Sequence, residues 1–267
     1  MARYKVILAY DGSRFCGSQV QAKSRTVQGE LEKALRKLGW AGKSVLMAGR
    51  TDTGVHAIGQ VAVFDLEWSH TSEKLFKAVD TYLPSDLAVR SLIPVAADFH
   101  PRFDAVSRQY RYRLFCEPIR DPLREKYLWR VFPPVNGDAL IQNAGIFLGT
   151  HDFAAFGSPT TPKGTTVRTV TKAEWKRMPD GEWQFEVRAD AFLYRMARRL
   201  VFVQVSLAQG KISLERVQNA LERREKLPAG LAPARGLTLV EVKYGSHELI
   251  MKRSDESATE NVLSESR

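Results

Sequence analysis

The chain has 267 residues, of which 44% are hydrophobic and 26% charged, a composition typical of a globular protein of one large or two modest domains. Lysine and arginine number 40 against 30 aspartate and glutamate, and the net charge of +10 favours a nucleic acid or another anionic partner. The two cysteines, Cys16 and Cys116, form no CxxC or Cys/His pattern, which argues against a secreted disulfide scaffold and a zinc site. The first residues alternate like a strand rather than forming a signal peptide, and no apolar run approaches the roughly 20 residues that span a bilayer. We therefore expect a cytoplasmic protein.

The first part of the chain predicts a sheet covered by helices. Alternating apolar residues predict strands at 4–10, 44–47, 57–68 and 87–95. Helical periodicity predicts helices at 26–39 and 72–83, which Gly39 and Pro84 bring to an end. Asp11-Gly12-Ser13 is typical of a turn.

A similar alternation begins again after residue 104. Strands are predicted at 107–116, 166–178, 182–190 and 236–244, and helices at about 138–148, 192–209 and 213–224, with a loop at 158–165. The polar residues after 245 lack periodicity. We therefore predict an α+β protein with an N-terminal domain at 1–104, a C-terminal domain at 105–245 and a flexible tail at 246–267.

The segment AGRTDTGVHA, residues 48–57, combines groups that carry chemistry. Asp52 is a candidate nucleophile or base, with Arg50 two positions before it and His56 four after it. From these residues alone, an Asx-type turn that only orders its own backbone is the more common structure, and a single histidine more often packs than binds a metal.

Asp52-Thr53-Gly54 also matches the active-site tripeptide of aspartic proteases. That chemistry needs two such turns whose carboxylates share one proton. This chain has one, because Asp11-Gly12-Ser13 is not a second copy, and its helices alternate with strands. The protease hypothesis is therefore rejected.

The segment AGRTDTGVHA resembles the signature of the TruA family of tRNA pseudouridine synthases. Similar segments follow in the family's order, namely YDGSRFCGSQVQ near the start, FHPRFDAVSRQYRYRL at 99–114, DFAAFGS at 152–158, DAFLYRMARRLV at 190–201 and APARGLTLVEVKY at 232–244. The resemblance covers about residues 3–245. Ser18 departs from it, since the family is expected to carry an aromatic residue there, whereas MAR in place of MVR at 196–198 keeps the arginine.

This resemblance implies a pseudouridine synthase fold, with two related halves around a central basic cleft, each with a mainly antiparallel sheet flanked by helices. It implies isomerisation of uridine to pseudouridine in the anticodon stem-loop of tRNA, at uridines 38–40, on a base flipped out of its stack. It also implies a homodimer whose two chains both contact the RNA, and a reaction without cofactor or metal. No Walker A, GxGxxG or HExxH motif points elsewhere.

The resemblance assigns the central roles to three residues. Asp52 is the catalytic carboxylate, whether it attacks C6 of the base, attacks C1′ of the sugar or acts as a base on the sugar. Arg198 matches the position that pairs with this aspartate, although a charged helix face is by itself usually solvated. Tyr110 is expected to stack on the uracil or to take part in proton transfer, whereas Tyr112 fits a core position better.

The remaining candidates concern the substrate and its RNA. Arg50 is expected to fill the gap left by the flipped nucleotide, and Leu237 and Leu239 to close one side of the pocket. Because base flipping costs a few kcal/mol that contacts along the RNA must offset, we expect a set of RNA-binding cations. They are Arg102, Arg108, Arg111, Arg113, Lys163, Arg168, Arg195 and Arg199. A non-catalytic RNA-binding protein remains the rival hypothesis, and the presence of Asp52, Tyr110 and Arg198 together argues against it.

Overall fold

The computed structural model describes residues 1–161, 164–222 and 225–245, and the predicted tail at 246–267 and the predicted RNA contact Lys163 lie outside these ranges. Within them the chain forms one sheet of ten strands. The strands are β1 (Ala2–Tyr10), β2 (Leu46–Met47), β3 (His56–Leu66), β4 (Leu87–Val95), β5 (Ala105–Phe115), β6 (Trp129–Arg130), β7 (Gly149–Asp152), β8 (Val167–Arg177), β9 (Trp183–Ala189) and β10 (Leu237–Tyr244). The α-helices are α1 (Val27–Arg36), α2 (Ser72–Tyr82), α3 (Gly137–Asn143), α4 (Met196–Ala208) and α5 (Leu214–Glu222). The predicted α+β class is confirmed.

The sheet runs in the order β4-β1-β3-β10-β5-β9-β8-β7, with β2 paired to β3 and β6 paired to β5. The last strand of the described chain therefore lies in the middle of the sheet. β10 runs parallel to β3, where Leu239 lies opposite Ala57, and antiparallel to β5, where Leu239 lies opposite Tyr110. β10 thus joins the two halves of the chain into one continuous sheet, and the domain boundary at 104 stays a prediction.

Two hydrophobic cores lie on the two sides of β10. One is built from β1, β3, α1 and α2, and the other from β5, β8, β9, α3, α4 and α5. The buried side chains Val27, Leu31 and Leu35 recur at the helical period, which explains why α1 packs on the first half. Tyr110 packs against both cores, so its ring lies at their junction.

The local sequence determines where the helices begin. Thr26 caps α1 by accepting a hydrogen bond from the backbone of Gly29, and Thr71 caps α2 in the same way at Lys74. The helix predicted at 138–148 is α3 followed by a 3-10 turn at Ala144–Phe147.

The prediction that a helix starts near residue 192 was wrong. α4 begins at Met196, because Arg195 adopts a left-handed conformation with φ of 63° and the preceding Tyr194 pairs with Ser158 as an isolated bridge. A residue in the left-handed conformation does not continue a right-handed helix. As a consequence Arg198 lies in the first turn of α4, beside the loop that carries Asp52.

Candidate active site

The residue that precedes Asp52 is held by hydrogen bonds from two other segments. The Thr51 N–H donates to Ser18 Oγ at 2.8 Å, and the Ser18 N–H donates to the Thr51 carbonyl at 3.1 Å. The Thr51 hydroxyl lies 2.8 Å from the hydroxyl of Tyr10. Since Ser18 and Thr51 are buried, these bonds are shielded from water and fix the backbone that presents Asp52.

Two glycines allow the loop its shape. Gly17 has φ of +87°, and a Cβ there would lie 2.8 Å from the Thr51 carbonyl oxygen. Gly54 has φ of +80°, a conformation that glycine adopts without strain. The loop therefore approaches the first segment of the chain more closely than a residue with a side chain would permit.

Asp52 and Arg198 form an ion pair across 146 residues of sequence. Arg198 Nη1 donates to Asp52 Oδ2 at 2.7 Å, and Arg198 Nε donates to the carbonyl of Ala232 at 2.8 Å. The guanidinium is therefore anchored at one edge while it binds the carboxylate at the other. Only 14% of the Arg198 side chain and 23% of the Asp52 side chain are exposed, so the pair is partly shielded yet open to a ligand.

The segment from Ala232 to Arg235 is held by three side chains from different elements. Three of its carbonyls accept hydrogen bonds, from Arg198 at Ala232, from the Tyr112 hydroxyl at Pro233 (2.8 Å) and from His56 at Arg235 (3.1 Å). This segment leads directly into β10. The prediction that Tyr112 is a core residue is confirmed, since its ring is fully buried.

His56 serves as a neutral hydrogen-bonding residue. Its Nδ1 accepts the Gly12 N–H at 3.0 Å, so the ring proton lies on Nε2, which donates to the Arg235 carbonyl. Burial lowers the pKa of His56, while Asp11, 3.2 Å from Nδ1, acts in the opposite direction. His56 is thus a buried, hydrogen-bonding residue that ties the start of β3 to Gly12 and to Arg235.

Tyr110 packs edge-on against Phe192, with ring centroids 4.8 Å apart, and lies within reach of the charges of Arg108 and Asp52. Burial raises the pKa of the Tyr110 phenol well above its usual range, and the charge of Asp52 adds to this effect. In the described part of the chain the hydroxyl has no hydrogen-bond partner. The phenol therefore keeps its proton at neutral pH and is free to donate it.

Leu237 and Leu239 lie opposite Tyr112 and Tyr110 on the neighbouring strand, and both leucines are buried. They are core residues in the layer of the two tyrosines, so a role as pocket wall remains a prediction. Arg50 is exposed at the edge of the Asp52 loop, and within the described ranges it makes no ion pair.

The predicted RNA contacts fall into three groups. Arg111 and Arg113 pair with Glu186 (2.8 Å) and Glu182 (2.6 Å), on the face of β5 opposite to its tyrosines. Three others donate to backbone carbonyls, namely Arg108, Arg168 and Arg199. The exposed Arg102 and Arg195 make no ion pair with any described residue. Direct RNA contact by any of the seven stays a prediction.

No individual feature of the sequence pointed to the residues that hold the site in place. Ser18 was noted only as a departure from the family, and its hydrogen bond to Thr51 follows from the fold. Arg111 and Arg113 alternate along β5, and Glu186 on β9 and Glu182 just before it alternate in the same way. Such alternating opposite charges are the sequence signal for ion pairs between neighbouring strands, although they do not give the register.

The described residues contain no group of three His, Cys, Asp or Glu side chains suited to a metal ion. None of the helices in the same residues is long and apolar enough to cross a membrane.

The chain matches a family model described as tRNA pseudouridine synthase over residues 6–104 and 144–245. A tRNA pseudouridine synthase A of Maridesulfovibrio salexigens is 40% identical over 250 residues, which are 92% of this chain and 91% of that protein. The protein of the same name from Geobacillus kaustophilus is 40% identical over 252 residues, 93% of this chain and 96% of its own length.

Among solved structures, a chain in the crystal structure of a Cbf5-Nop10-Gar1 complex matches 91% of this chain with a TM-score of 0.36 and 15% sequence identity. This chain spans about half of that one, 49% of its length.

Proposed function

This chain belongs to the tRNA pseudouridine synthase family and is an isomerase that converts uridine to pseudouridine in tRNA, and we propose that Asp52 is its catalytic carboxylate and uridines 38–40 of the anticodon stem-loop its targets. The reaction breaks the bond from C1′ of the sugar to N1 of uracil and forms one from C1′ to C5. It transfers no electrons to a second molecule, so side chains alone suffice for it.

The ion pair between Asp52 and Arg198 is the observation that carries this proposal. The guanidinium occupies Oδ2 through a charge-assisted hydrogen bond and holds the carboxylate in place. Oδ1 accepts no hydrogen bond from the described residues, so one oxygen of a positioned carboxylate is left for the substrate. This arrangement fits attack on C6, attack on C1′ and proton abstraction from the sugar alike.

Tyr110 is the second element of the proposed site. Its ring lies at the junction of the two cores, within reach of the charge of Asp52, and it would stack there on a flipped uracil. Because its phenol stays protonated, it would donate a hydrogen bond to the substrate rather than act as a base.

Other residues are proposed to hold the nucleotide. Leu237 and Leu239 close the pocket from β10, and Arg50, exposed at the rim, enters the gap that the flipped nucleotide leaves in the RNA. A rival function, RNA binding without chemistry, needs neither an anchored ion pair nor a tyrosine beside it, and the geometry therefore favours the enzyme.

The protein is proposed to act in the cytoplasm as a homodimer. Its cationic surface is proposed to bind tRNA through the exposed Arg102 and Arg195 and through Arg108, Arg168 and Arg199, which also donate to backbone carbonyls. Lys163, Arg111 and Arg113 belong to the same proposal, the last two after exchange of their glutamate partners for phosphate. The halves 1–104 and 105–245 are proposed as the two walls of the basic cleft.

The test of this function is tritium release from tRNA transcripts labelled at C5 of uridine. The enzyme should release tritium from transcripts with uridine at positions 38–40 and none from matched transcripts with cytidine there. Binding should weaken steeply with salt because phosphate contacts release counterions. Release from the cytidine transcripts would reject the positions, and no release from either would reject the activity.

A further inference from the structure

The loop before β5 holds a large aromatic ring out in solvent. Phe103 is 75% exposed. His100 Nδ1 accepts the backbone N–H groups of Arg102 (3.1 Å) and Phe103 (3.3 Å), and the His100 ring packs against that of Phe103 at a tilt of 31°, with centroids 4.3 Å apart. Asp104 closes the turn by accepting the His100 N–H at 2.8 Å. The hydrogen bonds of this turn and the contact with His100 therefore hold the Phe103 ring in its exposed position.

A cation accompanies this ring. The Arg102 guanidinium lies 5.8 Å from the Phe103 centroid and donates to Thr160 Oγ1 at 3.0 Å. It has no carboxylate partner in the described parts of the chain, so its charge is available to an anion beside the aromatic face.

A second exposed aromatic ring with a nearby arginine, that of Tyr194, is held next to Ser158, two residues before Thr160. Tyr194 is 49% exposed, and its N–H donates to the Ser158 carbonyl at 2.8 Å. The Arg195 guanidinium lies 4.7 Å from the Tyr194 centroid. Arg195 holds a left-handed backbone conformation, which is unfavourable for an arginine and persists only where the surroundings impose it.

Both rings are connected to the proposed active site. Arg108 donates to the carbonyls of Arg102 (2.6 Å) and Asp190 (2.9 Å), which joins the turn of Phe103 to the loop that ends at Tyr194. The charge of Arg108 also acts on the Tyr110 phenol, and Phe192 of the same loop packs on the Tyr110 ring. The two exposed rings are therefore linked to Tyr110 through the hydrogen bonds of Arg108 and the packing of Phe192.

We propose that Phe103 and Tyr194 form a stacking platform for two unpaired nucleobases of the RNA next to the target uridine, with Arg102 and Arg195 binding the adjoining phosphates. The inference rests on the proposed function. An exposed aromatic face paired with a cation fits a single-stranded nucleotide, since the base stacks on the ring while the charge neutralises the backbone. Once flipping has unstacked the target, its neighbours lose a stacking partner, and the platform would replace it.

The experiment measures the dissociation constant and the kinetic constants of the full-length chain with an unmodified tRNA transcript. Phe103→Leu and Tyr194→Leu keep an apolar side chain but remove the aromatic face. Each should raise Kd and KM about 5- to 100-fold with little change in kcat, as expected for the loss of one stacked base. Phe103→Trp and Tyr194→Phe should bind like the original chain.

The matched control is Ile119→Ala, a change at an apolar side chain that is also exposed (78%) but has no part in the platform. It should leave Kd unchanged. A direct readout uses a transcript with 2-aminopurine beside the target uridine. Stacking on the platform should quench its fluorescence on binding, and the quench should be smaller with Phe103→Leu or Tyr194→Leu.

The outcomes separate this inference from the proposed function. If the original chain forms pseudouridine but both leucine variants bind and quench as it does, the platform is rejected and the function stands. Loss of kcat at unchanged Kd would also reject the platform. If the original chain forms no pseudouridine in tRNA, the proposed function fails and the inference fails with it.

Discussion

Arg198 binds Asp52 and the backbone of Ala232 with two different nitrogens of one guanidinium, at 2.7 Å and 2.8 Å. The planar guanidinium thereby holds the Asp52 carboxylate in a defined position relative to the segment that contains Ala232. A lysine has the charge but one point of attachment, so it cannot make both contacts with this geometry.

Arg198→Lys and Arg198→Met should therefore both impair the reaction. We expect Arg198→Met to lower kcat by about 10²- to 10³-fold, as for the loss of a preorganised charged donor, and Arg198→Lys to recover only part of it. Because the side chain faces the carboxylate, tRNA affinity should change far less than kcat. Single-turnover tritium release and filter binding measure the two effects, with the exposed Arg216→Lys on α5 as a control. Equal kcat in Arg198→Met and the original chain would remove the ion pair from the mechanism.

Ser18 should be needed for the Asp52 loop. Ser18→Ala leaves the buried Thr51 N–H without its acceptor, and we expect it to lower the free energy of unfolding by about 1–3 kcal/mol. Urea denaturation measures this loss. The nearby Ser24→Ala serves as control, because Ser24 is exposed and should change stability by no more than about 0.5 kcal/mol. If the two variants were equally stable, the hydrogen bond would contribute nothing to the loop.

The neutral state of His56 predicts a pH dependence of stability. Burial lowers the pKa of His56 in the folded chain below the value of 6.5 that it has when unfolded, so the unfolded chain binds more protons as pH falls below 6.5. The stability from neutral His56 is therefore fully present above pH 6.5 and is lost as pH falls through the folded pKa. The carboxyl of Asp11, whose pKa is lowered from 3.8, titrates in a more acidic range.

His56→Gln should separate this effect from other titrations. Its amide keeps a donor for the Arg235 carbonyl but does not titrate. We expect the free energy of unfolding of the original chain to fall more between about pH 7.5 and pH 5 than that of the variant. Parallel curves in urea denaturation would contradict the neutral, buried histidine.

Tyr110 offers a test of which part of the side chain matters. Tyr110→Phe keeps the ring and removes a phenol that holds its proton, so tRNA affinity should be preserved while kcat falls about 10²-fold. Tyr110→Ala should weaken binding as well. A phenylalanine variant with full kcat would leave stacking as the one role of Tyr110.

The sequence identified the elements and the chemical groups of the site more reliably than their partners. Periodicity predicted β1, β3, β5 and both helices of the first half, and the motif pointed to Asp52 and Arg198. By contrast, the bonds from His56 to Gly12 and Arg235 join three distant segments, and no local pattern encodes them. The start of α4 was predicted too early because the left-handed Arg195 has no signature in composition.

The arginines show the same limit. Alternation along β5 placed Arg111 and Arg113 on the face away from the tyrosines, but the sequence could not show the strand register that pairs them with Glu186 and Glu182. The sequence likewise could not show that Arg108 donates to three backbone carbonyls, because two of them belong to segments that only the fold brings close to it.

The most direct test of the account is tritium release by Asp52→Asn, which keeps the shape of the side chain and removes its charge. With tRNA bound as tightly as by the original chain, the variant should release no tritium above background in a single turnover. Release at the original rate would show that the carboxylate takes no part in the chemistry and would contradict the mechanism proposed here.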